Sequence, residues 1–148
     1  MICEMAKPRA RPPLGDDDYR RLLEFRVALR RFLKWSEEQA VHAGVTTQQH
    51  QLLLAVRGHA GGSSPTVGEL AEHLLLRHHS VVELVDRTEH AGHVSRFVDD
   101  VDRRVVRVRL TDAGQHVLHE LSAAHLEELV RLAPTVGRLA NGLAPADP

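Results

Sequence analysis

The stretch that decides the fold is Thr66–Gly114, TVGELAEHLLLRHHSVVELVDRTEHAGHVSRFVDDVDRRVVRVRLTDAG. Thr66 followed by Glu69 is a capping-box pattern, in which each side chain satisfies a backbone N–H of the other residue at a helix start. Leu70, Ala71, Leu74 and Leu75 follow at spacings that place them on one face of a short helix. A second helix runs from about His78 to Ala91, with Val81, Leu84, Val85 and Thr88 facing inward and Gly92 as its stop. Two strand-like runs come next, His93–Asp99 and Arg104–Leu110. The second alternates, with Val106, Val108 and Leu110 on one side and Arg107 and Arg109 on the other. The acidic DDVD between the runs reads as a turn, and Thr111 caps whatever follows.

Outward from this stretch the chain reads as helix. Asp16, Asp17 and Asp18 put negative charge at a helix start, where the macrodipole favours it. Leu22, Phe25, Leu29, Phe32 and Leu33 then recur in steps of three and four, predicting one amphipathic helix to about His42, ended by Gly44. Thr46 or Thr47 caps a second helix, Gln48 to about Gly58, whose LLLAV centre should be buried. AGGSSP (60–65) is a loop. A long helix from Asp112 to about Leu132 follows the hairpin, with Pro134 expected to break or kink it before a short helix to about Leu139. The proline-rich start, residues 1–15, reads as a flexible tail, and 141–148 as a frayed one.

Composition limits the function. At 148 residues the chain is one ordinary domain, and with aromatics at 3% its core must be built of Leu, Val and Ala. No apolar run reaches membrane-spanning length, and MICEMAKPRARPP has no apolar signal core. With a lone Cys3 as well, a cytoplasmic location is expected. The net charge of −1 gives no support to a nucleic-acid partner, and Thr66–Thr111 holds seven Arg against eight acids. Any case for DNA must rest on where the arginines sit.

Helix, helix, strand, turn, strand is the layout of a winged helix-turn-helix, which places one helix in the major groove and a hairpin beside it. The recognition helix meets base edges with its N-terminal end, and Arg77, His78, His79 and Ser80 occupy that end. Arg87, farther along, is placed to meet the phosphate backbone. Arg103 and Arg104 fall at the hairpin tip, where an arginine can enter a narrow minor groove. Asp102 is suited to orienting an arginine by a charge-assisted hydrogen bond. Arg107 is open to two readings, a phosphate contact or the solvated face of a strand, and so is Arg109.

Three segments together, TVGELAEHL (66–74), VVELVDRTEHAG (81–92) and DRRVVRVRLTDAG (102–114), resemble the MarR-type winged-helix transcriptional regulators. The last is the most specific: Asp102, Arg104, Leu110, Thr111 and Gly114 match the family's Asp-x-Arg wing and Leu-Thr-x-x-Gly ending. The resemblance covers roughly residues 16–140. It implies a mainly α fold with a small β-hairpin wing, a winged helix-turn-helix with flanking N- and C-terminal dimerisation helices. The division is then 16–45 for the N-terminal dimerisation helix, 46–111 for the DNA-binding lobe and 112–140 for the C-terminal dimerisation helices. It further implies a homodimer on a pseudo-palindromic double-stranded operator, a repressor relieved by a small aromatic or phenolic effector, with Arg104 as the wing's DNA contact, no cofactor and no membrane. Some residues depart from the family pattern. Glu83 stands where relatives carry Arg, Gly or a small polar residue, and its carboxylate either accepts from cytosine or turns away from DNA. Arg77 replaces a capping Ser or Asp, and Val82 a frequent Thr.

The same residues admit rival readings. A winged-helix interaction module without DNA would leave the arginine-bearing tip without a role. A zinc-responsive regulator is suggested by His50 and His125, which fall on ligand places of zinc-sensing relatives. The other two places hold Phe32 and Leu121, however, and exposed surface histidines, with no bound metal, are the expectation for this set. His116 and His119 have ligand spacing without a completing partner. Cys3 lies ahead of the first helix with nothing to activate it. Ser63, Ser64, Asp99 and Asp100 make no catalytic motif, so no enzyme is expected.

Overall fold

A computed structural model describes residues 13–141. The elements are α1 (Asp16–His42), α2 (Thr47–Gly58), α3 (Val67–Leu74), α4 (His78–His90), β1 (Val94–Val98), β2 (Val106–Leu110) and α5 (Asp112–Asn141). Cys3, most of the N-terminal tail and the last seven residues lie outside the described part.

Local chemistry sets the helix starts. Thr46 caps α2, its hydroxyl accepting from Gln49 N–H at 3.1 Å while its own N–H donates to Gln49 Oε1 at 2.9 Å. Thr66 and Glu69 make the same reciprocal pair at α3, at 2.7 and 3.3 Å. Gly44 ends the first helical segment with φ +79°. At α5, Thr111 Oγ1 accepts from Gly114 N–H at 3.1 Å and donates to the Gly92 carbonyl at 2.6 Å, so one hydroxyl starts the helix and ties it to the end of α4.

The core lies where α2, α3 and α4 meet the hairpin. Leu52, Leu53, Val56, Leu70, Val81, Leu84, Val85, Val94, Val108 and Leu118 are buried together. Thr88 joins the inward face of α4, its hydroxyl satisfied by the Leu84 carbonyl at 2.7 Å. A smaller cluster of Ala40, Val45 and Leu121 joins α1 to α5. The strands are antiparallel, with Val94 opposite Leu110 and Val98 opposite Val106. The segment leading into α3 extends this sheet: Val108 N–H donates to the Pro65 carbonyl at 2.9 Å, and Thr66 bridges Arg107.

Four expectations are corrected. The last helix does not break at Pro134 but continues to Asn141. The proline and the preceding Val130 are exposed, so the carbonyl that loses its donor is not sealed in a core, and Leu139 beyond it is buried and anchors the final turns. Leu75 does not share the inward face of α3. It ends that helix in the left-handed region (φ 54°) and stands 91% exposed. The strands are shorter than their apolar runs, because residues 99–105 close on themselves in a hydrogen-bonded turn. Val106 is exposed rather than inward, while Val108 is buried in the core and Leu110 packs against its edge. Among the described residues, no helix is long and apolar enough to cross a membrane.

Candidate nucleic-acid interface

The inward face of α4 is locked into the core, and this decides what its other face offers. Arg77, His78, His79, Glu83 and Arg87 are exposed, and Ser80 is half-buried. Arg77 stands at the N-cap in extended conformation and supplies no side-chain cap. The first-turn N–H groups of α4 are therefore not covered by a capping oxygen, and the positive helix end points outward beside a guanidinium and two imidazoles. This arrangement suits hydrogen bonding to phosphates and base edges.

Arg96 on β1 fixes the hairpin to this helix. Its Nη1 donates to Glu89 Oε2 at 2.6 Å, its backbone N–H to Glu89 Oε1 at 2.8 Å, and its Nη2 pairs with Asp86. Burial opposes its charge, but the two carboxylates outweigh that and raise its pKa above the ordinary arginine value. The sequence around Arg96 carries no mark of this role, because its partners lie on another element.

The wing tip is built from acid–arginine pairs. Asp102 takes Arg104 in a bidentate fork, Nε to Oδ1 and Nη2 to Oδ2, both at 3.0 Å, and also accepts the Arg104 backbone N–H at 3.1 Å. The Arg104 side chain bonds hold the Asp102 carboxyl below the usual aspartate range. The guanidinium is 89% exposed, so Asp102 orients it without hiding it. Arg103 is exposed beside it.

Arg107 is engaged within the lobe. Its Nε pairs with Asp99 and its Nη1 donates to the Ser64 carbonyl at 2.8 Å, with the side chain 19% exposed. It fastens β2 to the α2–α3 loop, so it is not simply the solvated face of a strand. Arg109 is exposed, lying 4.9 Å from the Phe97 ring centre.

The histidines also differ from expectation. His50 is buried and His125 half-buried, so neither is a surface residue. Their ring centres are 4.8 Å apart, and His125 also lies 4.8 Å from Trp35 and 5.9 Å from Phe32. The His125 Nδ1–H donates to the Leu121 carbonyl at 2.6 Å, and Nε2 is hydrogen-bonded to the Ser36 hydroxyl at 2.7 Å. Both nitrogens are engaged. Burial first, and the nearby His125 second, push the His50 pKa down. His116 instead lies exposed beside Glu120. Among the described residues, no three His, Cys, Asp or Glu side chains converge as a metal set.

The same architecture recurs in known proteins. The MarR family model matches residues 43–105, from the end of α1 to the wing tip. The transcriptional activatory protein BadR of Rhodopseudomonas palustris is 36% identical over 85 residues, 57% of this chain and 49% of its own length. The chain spans about half the length of the curated relatives it matches. Among solved structures, YusO from Bacillus subtilis superposes with a TM-score of 0.63 at 25% identity, covering 86% of this chain and 99% of YusO. A single-substitution mutant of MepR from S. aureus, bound to an oligodeoxyribonucleotide, gives 0.66 at 18% identity, covering 85% of this chain and 98% of its own.

Proposed function

We propose that this chain is a transcriptional regulator of the MarR family, a reading supported by the family model's match to residues 43–105 and by the similarity to BadR and YusO, and that it binds a specific double-stranded operator as a homodimer in the cytoplasm. The observation that carries the reading is the pairing of two exposed cationic features on one rigid lobe. One is the uncapped N-terminal turn of α4, with Arg77, His78, His79 and Ser80; the other is the Asp102-held Arg104 at the wing tip. The helix end reads the major groove and the arginine enters the adjoining minor groove. Arg103 and Arg87 supply phosphate contacts, and Glu83 sits where it can accept from a cytosine amine. The DNA-bound MepR mutant, which shares this fold, supports the assignment.

The dimer reading rests on apolar surface that one chain leaves open. Phe25, Leu29 and Phe32 of α1 face Leu129, Leu132 and Val136 of α5 across a groove of about 360 Å³. Leu22, Leu33 and Leu126 extend the exposed apolar surface of the same two helices. A contiguous apolar patch of this kind marks an association surface. Two-fold pairing through it sets two α4 helices about one helical turn of DNA apart and calls for a pseudo-palindromic site.

The regulation proposed is repression relieved by a small aromatic or phenolic effector that binds one spacing of the two lobes better than the other. Selection of bound fragments from the source genome tests the DNA reading. It should return a two-fold symmetric sequence with half-sites about one turn, roughly 10 base pairs, apart. Recovery of fragments with no shared sequence would refute specific recognition. The sign of control is read separately with a reporter, since BadR bears an activator's name. Repression requires output to rise when this chain is removed.

A further inference from the structure

Arg104 is a long side chain on an exposed loop, and to serve as a groove contact it must be aimed. Asp102 aims it directly, but Asp102 belongs to the unpaired turn 99–105 and is itself 42% exposed. What fixes that turn is Asp99. Its Oδ1 accepts the backbone N–H groups of Val101 and Asp102 at 2.8 and 2.9 Å. Its own N–H donates to the Val105 carbonyl at 2.9 Å, and Val105 N–H returns to the Asp102 carbonyl at 2.9 Å. Its Oδ2 pairs with Arg107, which reaches on to the Ser64 carbonyl just before α3.

One chain of hydrogen bonds thus runs from the start of α3 through Arg107, Asp99 and Asp102 to Arg104. The exposures grade along it. Asp99 is 14% exposed and Arg107 19%, while Arg104 is 89%. The anchor is shielded and the tip is free. The arrangement also answers an electrostatic objection: three aspartates beside a proposed phosphate-binding tip should repel DNA. Two of them, Asp99 and Asp102, are matched by Arg107 and Arg104. The amide of Asp102 first, then Arg107 and the amide of Val101, hold the Asp99 carboxyl at about 2, so it is ionised wherever the protein is folded at ordinary pH.

We propose that Asp99 is a positioning residue for DNA binding, touching no DNA itself but holding Asp102, and through it Arg104, in the geometry with which the wing enters the groove. The proposal rests on the reading of Arg104 as a DNA contact.

A mutant cycle on the selected operator duplex separates the two, with affinity read by fluorescence anisotropy and folding by circular dichroism. Arg104→Ala and Asp99→Ala should each weaken binding about tenfold. In the Arg104→Ala background, Asp99→Ala should cost no more than about a further twofold, because the group it positions is gone. Asp99→Asn keeps an oxygen acceptor for the two amides and should stay within about threefold of wild type. Wild-type affinity for Asp99→Ala would overturn the proposal. So would an equal loss with and without Arg104, which is what general destabilisation produces. An unaffected Arg104→Ala would instead remove the wing from DNA recognition, and the proposal with it. If Asp99→Ala does not fold, Asp99→Ser, whose shorter hydroxyl reaches at most one amide, must show the same coupling.

Discussion

Replacing Gly114 with alanine should cost this protein far more than an added methyl suggests. A Cβ built at Gly114 lies 2.0 Å from the His93 carbonyl oxygen, 2.9 Å from its carbon and 3.2 Å from its Cα. Relief needs a backbone shift of more than about 1 Å, since non-bonded heavy atoms sit comfortably only at about 3.5 Å. The backbone has little freedom to give. The same His93 oxygen accepts Thr111 N–H at 3.0 Å, and the Thr111 hydroxyl binds both the Gly92 carbonyl and Gly114 N–H. Breaking two of these bonds costs about 1 kcal/mol each, and overpacking about 1–3 kcal/mol. Alanine returns about 1 kcal/mol as a better helix former. The net is a loss of about 2–4 kcal/mol, or a fall in Tm of roughly 5–15 °C for a chain of this size. Thermal unfolding followed by circular dichroism reads it directly. Gly68→Ala is the control: its Cβ meets only Thr66 Oγ1, at 3.8 Å, so it should hold or raise Tm. A Gly114→Ala protein melting at or above wild type would refute the close approach of α5 to the α4–β1 turn, and with it this account of the Leu-Thr-x-x-Gly ending.

Three further outcomes are expected. Arg104→Ala should lose about 1–3 kcal/mol of operator affinity with Tm unchanged, and a matching fall in Tm would mark the residue as structural instead. His50 titrates below the ordinary histidine value of 6.5, so below that pH the unfolded chain takes up a proton that the folded one refuses. Stability is therefore full above 6.5 and declines as pH falls; urea midpoints should drop on acidification, and His50→Gln should flatten the profile, whereas identical profiles would deny His50 that role. Leu129→Glu, on the exposed rim of the α1–α5 groove, should yield folded monomers in sedimentation equilibrium, and an undisturbed dimer would move the interface elsewhere.

Much of the fold was legible because its signals are local. The Thr66–Glu69 box, the Thr46 cap and the inward spacing of Val81, Leu84, Val85 and Thr88 depend only on neighbours within a turn of helix. What escaped was decided across elements. Arg96 and Arg107 look like any strand arginines until Glu89, Asp86, Asp99 and Ser64 are brought beside them. Pro134 signals a helix end, yet the helix runs on past it, with Leu139 buried beyond. His50 and His125 carry no mark of burial in sequence; the crossing of α1, α2 and α5 places them together. At the candidate site, the exposed arginines of α4 and of the hairpin tip follow from pattern, but the placing of Asp99 under that tip shows only in the turn's hydrogen bonds.

The central claim is that this chain grips duplex DNA through the α4 terminus and the wing. The most direct measurement is a titration of the purified protein against labelled duplexes tiling its own upstream region, repeated from dilute to physiological salt. One segment should bind well above the others, with the logarithm of its affinity falling linearly with the logarithm of salt concentration as phosphate counterions are released. Failure to retain any segment even in dilute buffer would contradict the account.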